Sequence, residues 1–323
     1  MVFKKMLAAF GVGGPSVDTV LDSPVCQPGG QLTGKVYLKG GETPVDIEHV
    51  ALGLVTRVEV EGGDYEHDAH VEFHRIPVAG AFRLEAGEQR AVPFQFPVPW
   101  ETPITDLYGQ HLHGMTMGLR TELAVARAVD KGDLDPVSVQ PLPAQERILE
   151  AFARLGFRFK RADLEHGHIH GVAQTLPFYQ EIEFFAAPQY AHRVNEVELT
   201  FVANPNFMDV ILEADKRSGL FTPGGDNFGH LRVEYATAHA TDWAAEIDAW
   251  MRAVIERYPA GHAPYGHEYH HGHEYHHGHE YHHGHGGGLG AGGAIAGAAA
   301  GFIGGMVAGE VIDEIGDFFE GEE

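Results

Sequence analysis

A histidine-rich repeat near the end of the chain is the segment whose residue types could do chemistry. Three identical copies of Gly-His-Glu-Tyr-His-His lie between Gly266 and His283. Imidazoles beside a carboxylate are good ligands for Zn²⁺, Ni²⁺ or Cu²⁺, and a flexible tract can gather several of them around one ion. The candidate metal ligands are His267, His270, His271, His273, His276, His277, His279, His282 and His283. The repeat therefore predicts association with one of these metals.

Two other interpretations of the repeat are open. It could be a solvated low-complexity spacer with no metal role. It could also respond to pH, because histidines that gain charge between about pH 5 and pH 8 would offset an acidic background. Metal binding, a spacer and a pH response are all compatible with this composition.

A second segment of the tail has small residues at a fixed spacing. Glycine recurs at every fourth position at Gly293, Gly297, Gly301, Gly305 and Gly309. This spacing lets helix backbones approach closely, as in paired membrane helices. The apolar run 289–309 has 21 residues, enough for a helix to span a bilayer, but eight of them are glycine. The segment predicts self-association, contact with the folded body or peripheral membrane contact, with disorder as the alternative.

Histidines in the first 258 residues form two further candidate groups. His166, His168 and His170 alternate along one predicted strand, as His111 and His113 do along another. Alternate residues of a strand share a face but lie about 7 Å apart, which is long for ligands of one metal ion. A metal site or weak enzymatic activity there would need a carboxylate or a water molecule to complete it.

The aspartates near residue 130 and the single cysteine are explained by structural roles better than by chemistry. Asp130, Asp133 and Asp135 could hold Ca²⁺, but the EF-hand pattern is missing. Aspartate and glycine are also common in turns, which explains this segment without an ion. Cys26 is the one cysteine, so no intramolecular disulfide can form, which fits a reducing compartment. We therefore expect neither a calcium loop nor a catalytic cysteine.

The sequence contains no motif of the common enzyme classes. A Gly-x-Ser-x-Gly elbow, a P-loop and a dinucleotide-binding fingerprint are all missing. Paired carboxylates such as Glu181 and Glu183 are expected on the solvated face of a strand. We predict no catalytic residue, no bound cofactor other than a metal on the tail, and no enzymatic activity.

The charge balance restricts the partners. The 323 residues carry a formal net charge of −24, and all ten charged residues after Arg257 are acidic. Nucleic acid and anionic lipid are bound through clusters of Lys and Arg, which the sequence lacks. Protein partners are therefore expected, and nucleic acid is not. The apolar stretch before Gly11 is too short for a secretory signal, so we predict a cytoplasmic protein, with membrane association through the tail as an option.

Period-two alternation of apolar residues predicts a mainly β protein before the tail. Strands are expected at 32–38, 49–61, 92–98, 119–129, 157–160, 168–174, 180–185, 195–203, 207–214 and 230–236. The strand at 49–61 should belong to an antiparallel sheet with one face on the core and the other face wet, in contact with solvent. The strand at 92–98 contains Pro93 and Pro97, so it should be an edge strand or bulged. Two amphipathic helices are predicted, one from 143 to 156 and one from 242 to 258.

Five blocks of sequence are distinctive in combination. They are Val17-Asp-Thr-Val-Leu21, Pro28-Gly-Gly-Gln-Leu-Thr-Gly-Lys-Val36, Pro99-Trp-Glu-Thr-Pro-Ile104, Leu119-Arg-Thr-Glu-Leu123 and Leu176-Pro-Phe-Tyr-Gln-Glu-Ile-Glu-Phe184. Together they make residues 1–258 resemble the bacterial sporulation-control protein M family. The resemblance implies an arrestin-like fold of two β-sandwiches joined at a short hinge. It also implies a regulatory, non-catalytic role in sporulation or cell-division control.

The predicted organisation is two immunoglobulin-like β-sandwiches in tandem with short helices, followed by a low-complexity tail. The expected parts are a first sandwich at 1–129, a second with a closing helix at 130–258, a disordered His-rich repeat at 259–285, and a glycine-spaced segment with an acidic end at 286–323. A turn-rich hinge is expected at Asp130–Pro136. We predict a scaffold that binds proteins through sheet edges or the inter-domain groove. The alternative is a metal-binding or metal-buffering protein that works through the His-rich repeat.

Overall fold

The structure is a computed structural model that describes residues 13–62, 65–128, 131–214 and 228–257. The strands are β1 (Ser16–Leu21), β2 (Val25–Cys26), β3 (Gln31–Lys39), β4 (Val45–Gly62), β5 (Tyr65–Ala79), β6 (Phe82–Leu84), β7 (Gln89–Pro97), β8 (Asp106–Leu107), β9 (Gln110–His111), β10 (Gly118–Val125), β11 (Lys131–Pro136), β12 (Ser138–Val139), β13 (Arg158–His166), β14 (Phe178–Phe185), β15 (Glu196–Ala203), β16 (Phe207–Ala214) and β17 (Phe228–Glu234). The helices are α1 (Pro143–Leu155), α2 (Tyr235–Ala238) and α3 (Trp243–Arg257). The predicted mainly β fold with short helices is confirmed.

Strands β1, β3 and β7 form a small antiparallel sheet in that order. In β3, Leu32, Val36 and Leu38 are buried and alternate with more exposed residues, as the period of a strand requires. Strand β7 lies at the edge of this sheet. Its Pro93 and Pro97 lack an N–H group, which an edge strand tolerates. The predicted edge strand at 92–98 is therefore confirmed.

A large sheet runs through the whole described structure. Its strand order is β11-β10-β4-β13-β14-β15-β16-β17, and β5 and β6 also pair with β4. Strands β4 and β13 meet in parallel, with Glu59 opposite Glu165. The strands from β13 to β17 pair with their neighbours in chain order, and each pair is antiparallel. Strand β4 therefore links the strands before α1 to the strands after it.

Strand β4 is the long strand that the sequence predicts, but the middle of its predicted wet face does not contact water. Every residue in the stretch Val50–Thr56 is buried. The Glu72 side chain of β5 lies against Gly53, where a Cβ atom would collide with it. Glu72 also pairs with Arg75 at 3.3 Å and with Arg120 at 3.7 Å. An ion-pair network from the neighbouring strands thus covers the face that was expected to contact water.

The two predicted helices, α1 and α3, are present. In α1, Ile148 and Phe152 are buried, and Gly156 follows the helix with a φ of 91°, the left-handed conformation that favours glycine. At the start of α3, the Asp242 carboxylate accepts a hydrogen bond from the Ala245 N–H at 3.4 Å, as an N-cap residue does. Both helices pack their apolar stripes on the large sheet.

Two segments differ from their predictions. Residues 168–174 form a loop and not a strand, because the Gln174 side chain bonds to the backbone of Ile169, Gly167, Leu176 and Phe178 in place of a strand ladder. The expected hinge contains β11, which pairs antiparallel with β10. The turn comes earlier, at 126–128, where the predicted strand 119–129 was expected to continue.

Buried apolar side chains gather into two main clusters. One contains Leu52 and Phe96 and takes residues from both the small sheet and the start of the large sheet. The other contains Phe152 and joins β13–β17 to α1 and α3. We call residues 13–139 the first half and residues 142–257 the second half. The precise division into two sandwiches stays a prediction.

Candidate functional site

Residues 100–116 of the first half form a crossing segment that packs on the second half. Its Ile104, Leu112 and Met115 are buried in the core of the second half. The Gln180 side chain of β14 accepts a hydrogen bond from the Ile104 N–H at 3.0 Å and donates one to the Ile104 carbonyl at 2.7 Å. Both residues are buried, so these bonds replace bonds to water that would otherwise be lost.

Two further contacts hold the crossing segment. The His113 carbonyl accepts a hydrogen bond from the Ala162 N–H of β13 at 3.0 Å. The Glu101 carboxylate accepts bonds from the Thr175 and Leu176 N–H groups at 2.9 Å, and from the Thr175 hydroxyl at 2.8 Å. Hydrogen bonds to an ionised acceptor are among the stronger ones. The two halves are therefore joined by directional contacts as well as by apolar packing.

A groove of about 270 Å³ lies where the crossing segment begins, and we call it the junction groove. Trp100 stacks on Tyr235 at the start of α2, with 6.0 Å between ring centroids and 27° between the planes. The other lining residues are Leu142, Pro143, Ala144, Arg147, Ala238 and His239. The groove is built where the segment after β7, the first turns of α1 and helix α2 come together.

The walls of the junction groove are mainly apolar. Ala144 and Ala238 are buried in it, whereas Arg147 and His239 are exposed at its rim. Burial raises the pKa of Tyr235 to about 12, so its phenol stays neutral. The lining contains neither a carboxylate nor a thiol, and its volume falls below the range of about 300–1,000 Å³ typical of small-molecule sites. The groove suits one bulky apolar side chain better than it suits a reaction.

The histidines of the folded region are not brought together. His166 ends β13, whereas His168 and His170 lie in the loop that follows, and all three are exposed. The ring Nε2 of His111 lies 2.7 Å from the Met115 carbonyl. Within the described ranges, carboxylates instead come close enough to share a metal ion, with ligand atoms within 4.8 Å of one another, at Glu59, Asp163 and Glu165.

The candidate calcium-binding aspartates and the cysteine lie in surroundings that indicate structural roles. Asp130 lies outside the described residues, and Asp133 and Asp135 lie on β11. The Asp133 carboxylate accepts a hydrogen bond from the Thr19 N–H at 2.7 Å, which ties β11 to β1. Burial raises the pKa of the Cys26 thiol to about 12. A thiol with so high a pKa is a poor nucleophile at neutral pH.

Glu181 and Glu183 are not solvated, so that prediction is wrong. Their exposed fractions are 6% and 4%. A small apolar cluster that includes Ile169 of the 167–177 loop packs on the same face of β14. Glu183 also forms ion pairs of 2.8 Å with Arg161 and Lys160. The face is therefore covered by a loop and crossed by paired charges.

The metal ligands predicted in the His-rich repeat and the spaced glycines of the self-association segment lie outside the described residues. Their metal, self-association and membrane roles stay predictions. Within the described ranges, the structure contains no helix with the length and apolar character needed to cross a membrane.

The junction groove was not identified from the sequence. Its lining residues come from three distant segments that share no spacing, so no local pattern marks them. One signal was available in the distinctive blocks. Block 99–104 contains Glu101 and Ile104, and block 176–184 contains Leu176 and Gln180, which bond to them. Two of the five blocks thus meet at the junction.

Comparisons with known proteins give a consistent result. The model of a family described as SpoOM protein matches residues 3–218. The sporulation-control protein spo0M of Bacillus subtilis (strain 168) is 31% identical over 262 residues, which cover 79% of this chain and 98% of that protein. The crystal structure of Spo0M from Bacillus subtilis matches with a TM-score of 0.69 at 29% identity, covering 75% of this chain and 100% of that one.

Proposed function

The chain belongs to the Spo0M family, and we propose that it is a cytoplasmic regulator of sporulation or cell division that binds protein partners and is not an enzyme. The name of the Bacillus subtilis relative supports the sporulation role, because the match extends over nearly the whole of that protein. The buried, inert Cys26 and the scattered histidines support a non-catalytic role. The binding mechanism rests on the junction groove.

The junction groove is the observation that carries the binding proposal. Gln180 and Glu101 fix the two halves, so the groove is formed without a partner and little ordering is needed on binding. Trp100 and Tyr235 supply aromatic walls of the kind that dominate interface energetics. Arg147 at the rim can donate to a carbonyl or a carboxylate. The occupant that fits is an extended segment of a partner protein with one bulky apolar side chain.

Reversing the charge of Arg147 tests this proposal. With the full-length chain as bait and a lysate of host cells under sporulation conditions as the probe, Arg147→Glu should lower recovery of the specific partner about tenfold. The reason is the loss of a charge-assisted hydrogen bond, worth about 1.5–3 kcal/mol. Quantitative mass spectrometry measures the recovery.

Arg154→Glu is the matched control, because Arg154 is exposed on the same helix α1 and does not line the groove. It should leave partner recovery and the sporulation frequency of the host unchanged, whereas Arg147→Glu should lower both. Equal recovery by the two variants would place the binding surface elsewhere and overturn the proposal.

Deleting residues 259–323 tests the alternative that metal binding by the His-rich repeat is the working activity. Under our proposal, partner recovery and the cellular role survive the deletion, and the metal-buffering alternative then fails. Loss of the cellular role on deletion, with no effect of Arg147→Glu, would favour the alternative instead.

A further inference from the structure

The junction groove presents aromatic rings beside basic groups. Trp100 and Tyr235 are half-buried, so part of each ring is in contact with solvent. The Trp100 indole packs closely on Gly29, where a Cβ atom would overlap the ring, so this wall is held in place. The basic groups of the lining are Arg147, which is always cationic, and His239, which is cationic when protonated. The groove therefore fits an aromatic side chain that has negative charge beside it.

The acidic residues of helix α1 lie outside the groove. Glu146 and Glu150 are on the same helix as Arg147, but neither is part of the lining. Their charges act on Tyr108 instead, whose pKa is raised by burial first and then by Glu150 and Glu146. The guanidinium of Arg147 is therefore available to a carboxylate that enters the groove.

One segment of this chain outside the described residues has the chemistry that the groove requires. Residues 311–323, which we call the acidic segment, contain six acidic residues and no basic residue. Within it, the pair Phe318-Phe319 lies directly between Asp317 and Glu320. The tyrosines of the His-rich repeat are followed by histidines, whose protonated rings would be repelled by the basic rim of the groove. The acidic segment therefore fits the groove better than the repeat does.

The length of chain before the acidic segment allows it to reach the groove. Helix α3 begins beside the groove, since the Trp243 indole donates a hydrogen bond to the Ala238 carbonyl at 2.8 Å. The helix has 15 residues, so the tail begins on the order of 20–30 Å from the groove. Residues 258–310 follow, and a glycine-rich chain of about 50 residues has a root-mean-square end-to-end distance of roughly 40 Å. The groove thus lies within reach of the acidic segment.

We propose that the acidic segment occupies the junction groove of its own chain, with Phe318 or Phe319 against the aromatic walls and a carboxylate beside Arg147. This inference rests on the proposed function, because it makes the segment a competitor of the partner for the same groove. A tethered segment has an effective concentration of about 1 mM. A contact with a dissociation constant of about 1 mM would close about half of the molecules and lower the apparent affinity for a partner about twofold.

Photo-crosslinking of the full-length chain tests the contact directly. Phe318→p-benzoylphenylalanine, and in a second chain Phe319→p-benzoylphenylalanine, place a photoreactive ring on the acidic segment. After irradiation, peptide mass spectrometry should find crosslinks within one chain to residues that line the groove. Adding Arg147→Glu should lower their yield severalfold, whereas adding Arg154→Glu should not. Tyr281→p-benzoylphenylalanine, on the His-rich repeat, is the matched control and should give no preferred crosslink to the groove.

Two results would overturn the contact. One is that both phenylalanine positions crosslink mainly outside the groove, or mainly between chains when isotope-labelled and unlabelled protein are mixed. The other is an equal yield of groove crosslinks with Arg147→Glu and with Arg154→Glu.

Partner recovery separates this inference from the proposed function. Phe318→Ser with Phe319→Ser should raise recovery of the specific partner about twofold, because the groove is no longer shared. Tyr275→Ser with Tyr281→Ser removes two aromatic rings from the His-rich repeat and should leave recovery unchanged. Unchanged or lower recovery by the phenylalanine double variant would overturn the competition. If groove crosslinks form but Arg147→Glu does not lower partner recovery, the proposed function fails; if the crosslinks miss the groove while Arg147→Glu lowers recovery, only this inference fails.

Discussion

Asp135 on β11 lies close to two other carboxylates, Asp133 on the same strand and Asp18 on β1. Burial, followed by the charges of Asp133 and Asp18, raises its pKa to about 7. The pKa in the unfolded chain is about 3.9, so the folded protein holds this proton more tightly. Between about pH 4 and pH 7 the stability contributed by the protonated group is lost as pH rises.

Asp135→Asn should therefore stabilise the protein at high pH. We expect a gain of about 1–2 kcal/mol in the free energy of unfolding at about pH 8, after allowance for partial exposure to water. The gain should shrink towards zero at about pH 4, where the folded carboxyl is already neutral. Urea unfolding at both pH values measures it. Asp46→Asn, at an exposed position of β4, is the control and should change little at either pH.

Single residues show what sequence patterns can and cannot predict about the site. The inert role of Cys26 followed from its lack of partners and agrees with its burial. The environment of Glu181 and Glu183 could not be predicted, because alternation identifies the two faces of a strand without showing what covers each one. That depends on the 167–177 loop, whose Gln174 side chain fixes it through bonds that no spacing reveals.

Helix α3 meets the large sheet at a close contact between Trp250 and Gly229. The Trp250 indole lies directly against Gly229 of β17, so a Cβ atom at this position would overlap the ring. Trp243, Ile247 and Met251 of the same helix are buried beside it. The glycine therefore sets how closely α3 can approach the sheet.

Gly229→Ala should force α3 away from β17. Overpacking of this kind costs about 1–3 kcal/mol of unfolding free energy. Chemical denaturation measures the loss, and hydrogen exchange should show faster opening of α3. Gly80→Ala is the control, because a Cβ atom at Gly80 would meet no atom within 4 Å. Equal stability of the two variants would show that Trp250 rearranges freely.

At the level of elements, alternation located most strands because half-buried strands alternate apolar and polar residues. The strands at 92–98, 180–185, 195–203 and 207–214 correspond to β7, β14, β15 and β16. Strand β11 was missed because its Asp133 and Asp135 are also turn formers, and only pairing with β10 decides between the two. Local propensity contains no information about that tertiary contact.

Considered as a whole, the molecule depends on contacts between its halves that the sequence does not show. Each half has its own apolar core, which composition and periodicity anticipate. The junction between them combines the buried apolar side chains of the crossing segment with polar groups, Gln180 and Glu101, which hold backbone atoms of distant segments. The junction groove lies at this boundary. The relative position of the halves should therefore control function.

Gln180→Leu tests how far the halves depend on each other. Leucine has a similar size but cannot hydrogen-bond, so the Ile104 N–H and carbonyl would be left buried and unpaired, at a cost of about 2–4 kcal/mol of unfolding free energy. We also expect the unfolding transition to broaden as the halves uncouple, which calorimetry measures. Gln189→Leu is the control, because Gln189 makes a comparable hydrogen bond to Leu155 in an exposed position. A stability loss no larger than that of Gln189→Leu would mean that apolar packing alone holds the halves together.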